Sequence, residues 1–385
     1  MRQSDRLSRI PPYLAFEIDR KKREAIAVGI DVIDLGVGDP DRPTPDFVVE
    51  AMARAIRDPR NHTYALGAGV REFRQTAVDS MARRFGVQLD PLKELVPLIG
   101  SKDAIAHLPL AFVNPGEHVL VPDPGYPAYI SGCILAGGVP WPMPMSEDTG
   151  WLPRLRDIPA AVADSARILY LNYPNNPTGA VANLSFFREA VAFAREHDIL
   201  LVHDAPYIDT WFDEPSPSVL QVPEARQCAI ELHSLSKSHN MTGWRIGFAV
   251  GNAEAIRHLA FVKSNVDSGP FKAVQWAAAE ALAETDGKST RTMNDLYRRR
   301  RDVLVAGLAA LGVRTSPARG AFYVWARCPD GVDSLTFANR MLEQAAVTVI
   351  PGVGFGAAGE GWFRMGLTVP ENRLHEAVER MKKVL

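Results

Sequence analysis

The sequence predicts an α/β protein: a largely parallel sheet covered on both faces by helices, followed by a smaller α/β unit. Three observations carry this. Between about 45 and 250, short and nearly all-apolar runs alternate with stretches of helical periodicity, the pattern of strands buried on both faces. Polar, turn-forming residues cluster directly after those runs, at the strand ends where parallel sheets bind ligands. After about 268 the pattern changes to a long helical region and then a shorter mixture of strands and helices.

In order, strands fall at Val119–Val121, Ile168–Leu171, Ile199–Val202, Ala229–Leu232 and Arg245–Val250. A helix fits Leu184–Glu196, with Asn183 or Ser185 as its cap. Phe271–Leu311 reads as helical. A strand at Ala321–Ala326, a helix at Ser334–Ala345, strands at Val347–Ile350 and Trp362–Gly366, and a closing helix from Pro370 follow. The expected division is a large domain over 45–270 and an interdomain helix with a small domain over 271–385, which segment 1–44 joins.

Composition narrows the function. A formal net charge of −2 gives no electrostatic reason to expect nucleic acid as a partner. The run Arg298–Arg301 spreads over most of a helix circumference and reads as a solvated face. Cys133, Cys228 and Cys328 are far apart, odd in number and in no metal-ligand spacing. They read as buried or partly buried thiols in a reducing compartment, and no metal is expected. The first ten residues lack the apolar core of a signal peptide, and no run approaches the roughly 18 apolar residues of a membrane span. A soluble, cytoplasmic protein is expected, and no internal repeat is visible.

The chemistry sits after the strands. Lys237, in Ser234-Leu235-Ser236-Lys237, is either a surface lysine in a turn or a desolvated amine able to form a Schiff base. Arg245 can return toward the same pocket and suits a dianionic phosphate. The turn from Asn172 to Gly179 either only redirects the chain or holds Asn176 as a donor to a ligand oxygen. Asp204, just after a buried strand, needs a partner: it caps a helix or it pairs with a protonated pyridine nitrogen. Tyr207 can reach an oxygen on such a ring. Gly100-Ser101-Lys102 opens a helical run, an anion-binding geometry. Tyr126 is either core or a stacking platform. Arg364, between Phe363 and Met365 in a strand, calls for a carboxylate, structural or from a substrate.

Together, Asn176-Pro177-Thr178-Gly179, Asp204 with Tyr207, Ser234 with Lys237, Arg245 and Arg364 form a joint pattern running from Arg9-Ile10-Pro11-Pro12-Tyr13 to the last helix. It resembles the class I/II aminotransferases of the aspartate aminotransferase superfamily, pyridoxal-phosphate enzymes of fold type I. The resemblance implies a mostly parallel seven-stranded sheet between helices. It implies pyridoxal 5'-phosphate held by Lys237 as a Schiff base, with Lys237 also carrying the proton in catalysis. Asp204 then pairs with the ring nitrogen, and Asn176 and Tyr207 with the ring oxygen. Ser101, Lys102, Ser234 and Arg245 hold the phosphate, and Tyr126 stacks on the ring. Arg364 grips the substrate carboxylate, with Gly38, Asn176 and Tyr13 also on the substrate. Tyr64 resembles the tyrosine that reaches the phosphate of the neighbouring subunit, which implies a homodimer with shared sites.

The stretches from Asp34 to Pro40, Leu171 to Ala180 and Asn240 to Phe248 are most similar to bacterial LL-diaminopimelate aminotransferases. That implies an amino-acid donor and 2-oxoglutarate as acceptor in a ping-pong reaction. The chain departs from that group in Ala65-Leu66-Gly67-Ala68-Gly69, which carries no glutamate, in His239 where a tyrosine is usual, and in Pro206 where a small residue is usual. Tyr13, Lys102, His239 and Asn265 are expected around the distal part of the substrate. The alternative is a same-fold enzyme of a natural-product pathway, acting on an unusual amino acid by transamination, elimination or oxidation. A non-catalytic regulator would need a DNA-binding module, for which the pattern leaves no residues.

Overall fold

The apolar runs form strands because both of their faces are covered. The computed structural model describes residues 1–65 and 69–385. Among these it contains β1 (Ile33–Asp34), β2 (Leu95–Leu98), β3 (His118–Asp123), β4 (Val139–Pro144), β5 (Ala166–Leu171), β6 (Leu200–Asp204), β7 (Ala229–Ser234), β8 (Gly247–Gly251), β9 (Tyr323–Arg327), β10 (Val347–Thr348), β11 (Ile350–Pro351) and β12 (Trp362–Gly366). Seven of them build one sheet in the order β2-β8-β7-β6-β5-β3-β4. Within it β8 alone runs against the others. Side-chain alternation feeds two cores: Ile168, Tyr170, Leu200 and Val202 pack on one face, and Leu169, Leu171 and Leu201 on the other.

Helix Leu184–Glu196 lies where the pattern placed it, and Asn183 is the cap, accepting from Phe186 N at 2.9 Å. Such a cap is worth about 1 kcal/mol. Helix Ser101–Phe112 contains Pro109, which has no N–H to offer the Ile105 carbonyl. The Tyr170 hydroxyl donates to that carbonyl instead, at 3.2 Å.

Several boundaries differ from expectation for physical reasons. Neither β2 nor β4 stands out in the sequence. In Val-Pro-Trp-Pro-Met-Pro the prolines occupy every second position, so their missing N–H groups all fall on one side, and β4 is an edge strand. The strand expected from Arg245 starts at Gly247, because Arg245 takes a left-handed φ of 56°. The strand expected from Ala321 starts at Tyr323, since Ala321 also has a φ of 56°. Val347–Ile350 divides: β10 pairs with β1, and β11 with β12. The long helical region breaks into Lys272–Ala283 and Lys288–Ala310 around Gly287, at φ 58°.

A second, antiparallel sheet has the order β11-β12-β9. The N-terminal segment lies against this part of the chain, through the β1–β10 pairing, Lys21 Nζ donating to Asn339 Oδ1 at 2.7 Å, and Gly366 N donating to Leu35 O at 2.6 Å. The Arg298–Arg301 run is not a wholly solvated face. Arg300 is fully buried and grips Asp41 through two hydrogen bonds of 2.7 Å. That pairing fixes the end of the loop that carries Gly38. All three cysteines are free; Cys133 and Cys328 are buried and Cys228 is partly so. No helix among the described residues is long and apolar enough to cross a membrane.

Candidate active site

The carboxyl ends of β5, β6 and β7 deliver Asn172, Asp204 and Ser234 to one cleft of about 260 Å³. A larger groove, about 670 Å³, opens at the other end of the strands beside Leu200 and Cys228. We place the site in the smaller cleft, because the chemistry-bearing side chains converge there. Ser101, Lys102, Tyr126, Asn176, Asp204, Tyr207, Ser234, Lys237, Arg245, Arg364, Gly38 and Tyr13 all line it. Tyr64 does not; it is 78% exposed on the surface of the single chain. The stretch with Gly67 and Ala68 lies outside the described residues.

Lys237 sits in the four-residue helix Leu235–Ser238 that follows β7, capped by the Ser234 side chain. Its Nζ donates to Gly38 O at 2.6 Å and lies 5.5 Å from the Phe322 ring centre. Burial lowers its pKa to about 8, and the charges of Arg364 and Arg245 add to this against the pull of Asp39. The bland reading of a surface lysine therefore does not hold.

Asp204 is buried at the end of β6. Its Oδ2 accepts from the Tyr129 hydroxyl at 2.7 Å, while Oδ1 is buried without a hydrogen-bond partner among the described residues. Burial pushes its pKa up to about 6, against the Tyr129 hydrogen bond, the nearby His203 and the Ser101 hydroxyl. Asp204 caps no helix; its free oxygen is what a cationic ligand nitrogen would satisfy. Asn172 locks this corner, donating to Asp204 O at 2.7 Å and accepting from Asn176 N at 2.8 Å.

Arg245 and the start of helix Ser101–Phe112 face each other. Arg245 donates to Thr242 O at 2.9 Å and to Ile99 O at 3.5 Å, both backbone carbonyls. Gly100 makes room for it: a Cβ there would stand 2.4 Å from Arg245 Nη2, and the residue has φ +71°. A helix N-terminus beside a guanidinium that touches only backbone carbonyls suits a phosphate. Lys102 Nζ lies 5.8 Å over the Tyr126 ring.

Arg364, in the middle of β12, is 7% exposed. It donates to Asn176 Oδ1 and to Gly36 O, each at 2.7 Å, and its Nε has no partner among the described residues. Among the described residues no structural carboxylate pairs with it, so Arg364 stands ready for one from a ligand. Sequence reading missed two tyrosines. Tyr129 was hidden in an apolar helix, where its only signal is that a buried hydroxyl needs an acceptor. Tyr323 sits in an apolar strand, with its hydroxyl 2.9 Å from that of Tyr207. Two expected distal residues lie elsewhere. His239 is buried outside the cleft, against the Ser238 hydroxyl at 2.8 Å, and lines a separate groove with Arg84, Asp209 and Glu284. Asn265 is exposed and donates to Phe261 O within its own helix.

Comparisons with known proteins agree with this geometry. Residues 30–381 match the family model of aminotransferase class I and II. The chain is 51% identical to LL-diaminopimelate aminotransferase 2 of Trichormus variabilis, over 99% of this chain and 98% of that protein. It is 49% identical to LL-diaminopimelate aminotransferase of Aquifex aeolicus, over 99% and 98%. A solved single mutant of Thermus thermophilus aspartate aminotransferase superposes with a TM-score of 0.94 at 33% identity, covering 100% of both chains. This chain belongs to the class I and II aminotransferases.

Proposed function

We propose that this chain binds pyridoxal 5'-phosphate in the cleft and transfers the amino group of LL-diaminopimelate to 2-oxoglutarate. The observation that carries the cofactor reading is the buried, unpartnered Asp204 Oδ1 in the same cleft as a lysine whose burial frees its amine. Half-identity over the whole length to relatives named LL-diaminopimelate aminotransferase supports the donor, and favours it over an unusual amino acid of another pathway.

Bound there, the cofactor supplies an electron sink for a carbanion at the substrate α-carbon. Lys237 would hold it through Nζ and would carry the substrate α-proton as general base and then acid. Asp204 keeps the ring nitrogen protonated. Asn176 and Tyr207 hold the ring oxygen, and Tyr126 covers the ring face. Arg245, Ser101, Lys102 and Ser234 hold the phosphate. Arg364 orients the substrate by its α-carboxylate, beside Asn176, Gly38 and Tyr13.

The reading includes a cytoplasmic homodimer in which Tyr64 completes the partner's phosphate site, and the domain division at 44 and 270. Support for the dimer is the exposure of Tyr64 together with Phe261, Val266 and Phe271, apolar surface that a lone chain leaves to water. The test is glutamate formation from LL-diaminopimelate and 2-oxoglutarate by purified protein. Turnover abolished in Lys237→Ala supports the reading. No glutamate from this donor, with glutamate from another, overturns the substrate; pyruvate with ammonia from an amino acid alone overturns transamination.

A further inference from the structure

Tyr323 joins two parts of the cleft that come from distant sequence. It is the first residue of β9, 2% exposed, opposite Gly366 of β12. Its hydroxyl lies 2.9 Å from that of Tyr207. The Arg364 guanidinium carbon lies 4.1 Å from its ring centre. Its Oη also fills the space over Gly38, where a Cβ would stand only 1.9 Å away. One side chain therefore touches the group meant for the substrate carboxylate and the group meant for the cofactor ring oxygen.

We propose that Tyr323 is a positioning residue for transamination: its ring holds Arg364 for the substrate carboxylate, and its hydroxyl fixes the direction in which Tyr207 donates. This rests on the cofactor reading above. The direction follows from counting protons. A tyrosine hydroxyl has one proton to give. If Tyr207 gives its proton to the ring oxygen, then in the Tyr207–Tyr323 pair the donor must be Tyr323. Two hydroxyls in series polarise one another, so Tyr207 becomes the stronger donor. The ring acts separately. With Asn176 Oδ1 and Gly36 O accepting from the two terminal nitrogens, the Tyr323 face is what limits the remaining rotation of Arg364, with Phe355 at 4.9 Å.

The two roles separate by substitution in the holoenzyme. Tyr323→Phe keeps the ring and loses the hydroxyl; Tyr323→Leu loses both. Two quantities are read: the pH titration of the bound cofactor's absorbance, and the affinity for succinate, an unreactive dicarboxylate. In Tyr323→Phe the titration midpoint moves upward by about one pH unit, about tenfold in the ratio of the protonation states, and succinate affinity is unchanged. Tyr323→Leu shows the same shift and binds succinate about tenfold more weakly. In a Tyr207→Phe background, Tyr323→Phe adds no further shift. A Tyr323→Phe protein that titrates as wild type, or a shift that persists without the Tyr207 hydroxyl, overturns the hydroxyl role. Wild-type succinate affinity in Tyr323→Leu overturns the ring role. Failure of the wild-type protein to take up cofactor overturns the cofactor reading itself, which distinguishes the two failures.

Discussion

Replacing the small Asp41 carboxylate should destabilise this protein more than removing the whole Arg300 guanidinium. The Arg300 side chain is 1% exposed and that of Asp41 is 20% exposed. Arg300 makes two hydrogen bonds of 2.7 Å to Asp41 and one of 2.9 Å to Leu367 O. Asp41→Asn leaves a cation buried without its counter-charge, a loss of about 3–5 kcal/mol. Arg300→Met removes the group that burial penalises, and Asp41 can turn to water. What remains is an unsatisfied Leu367 carbonyl, about 1–3 kcal/mol. At about 2–4 °C per kcal/mol for a large domain, Asp41→Asn lowers Tm by roughly 10 °C and Arg300→Met by roughly half of that, read by calorimetry. Burial pushes the Asp41 pKa up, but Arg300 more than offsets this and holds it below the ordinary 3.8. The stabilisation is therefore full above that value and is lost as the pH falls below it to the lowered value of the folded state, so wild type and Asp41→Asn converge in strong acid. A larger loss in Arg300→Met, or a gap that persists in acid, refutes the reasoning.

Three further outcomes are expected. Uptake of pyridoxal phosphate by the apoprotein, followed by absorbance, should rise through about pH 8 as Lys237 loses its proton; a rise only near the ordinary 10.5 contradicts its desolvation. Arg364→Ala should lower kcat/KM for the amino donor by about 100-fold or more, since two charge-assisted hydrogen bonds contribute roughly 1.5–3 kcal/mol each; Arg364→Lys should restore only part, because an ammonium cannot match the fork. Arg245→Ala should lower cofactor affinity about tenfold or more by equilibrium titration, since it removes the guanidinium at the helix start that faces the phosphate; unchanged affinity would remove Arg245 from the phosphate site.

The strands and the site were legible wherever one local signal decided the matter. Ile168–Leu171 is apolar throughout, and Ala229–Leu232 is apolar but for Glu231, because the sheet is covered on both faces, and Asn183 caps its helix by a local bond. Lys237, Asp204 and Asn176 stood out because they follow such strands. The rest depends on contacts far apart in sequence. Arg300 looked solvated because nothing near it reveals Asp41, 259 residues away. Tyr323 carried no signal of its own in its strand, because its partners Tyr207, Arg364 and Gly38 come from three other segments. The strand Val139–Pro144 was obscured by prolines that only an edge position tolerates.

The most direct test of the central claim is to treat the purified holoenzyme with borohydride, digest it and locate the modified residue by mass spectrometry. Reduction fixes a lysine–cofactor imine as a stable amine. The account predicts one pyridoxyl phosphate group, on the peptide that carries Lys237, and none when Lys237→Ala is treated in the same way. A pyridoxyl group on another lysine, or no group on protein that shows the cofactor's absorbance, would contradict it.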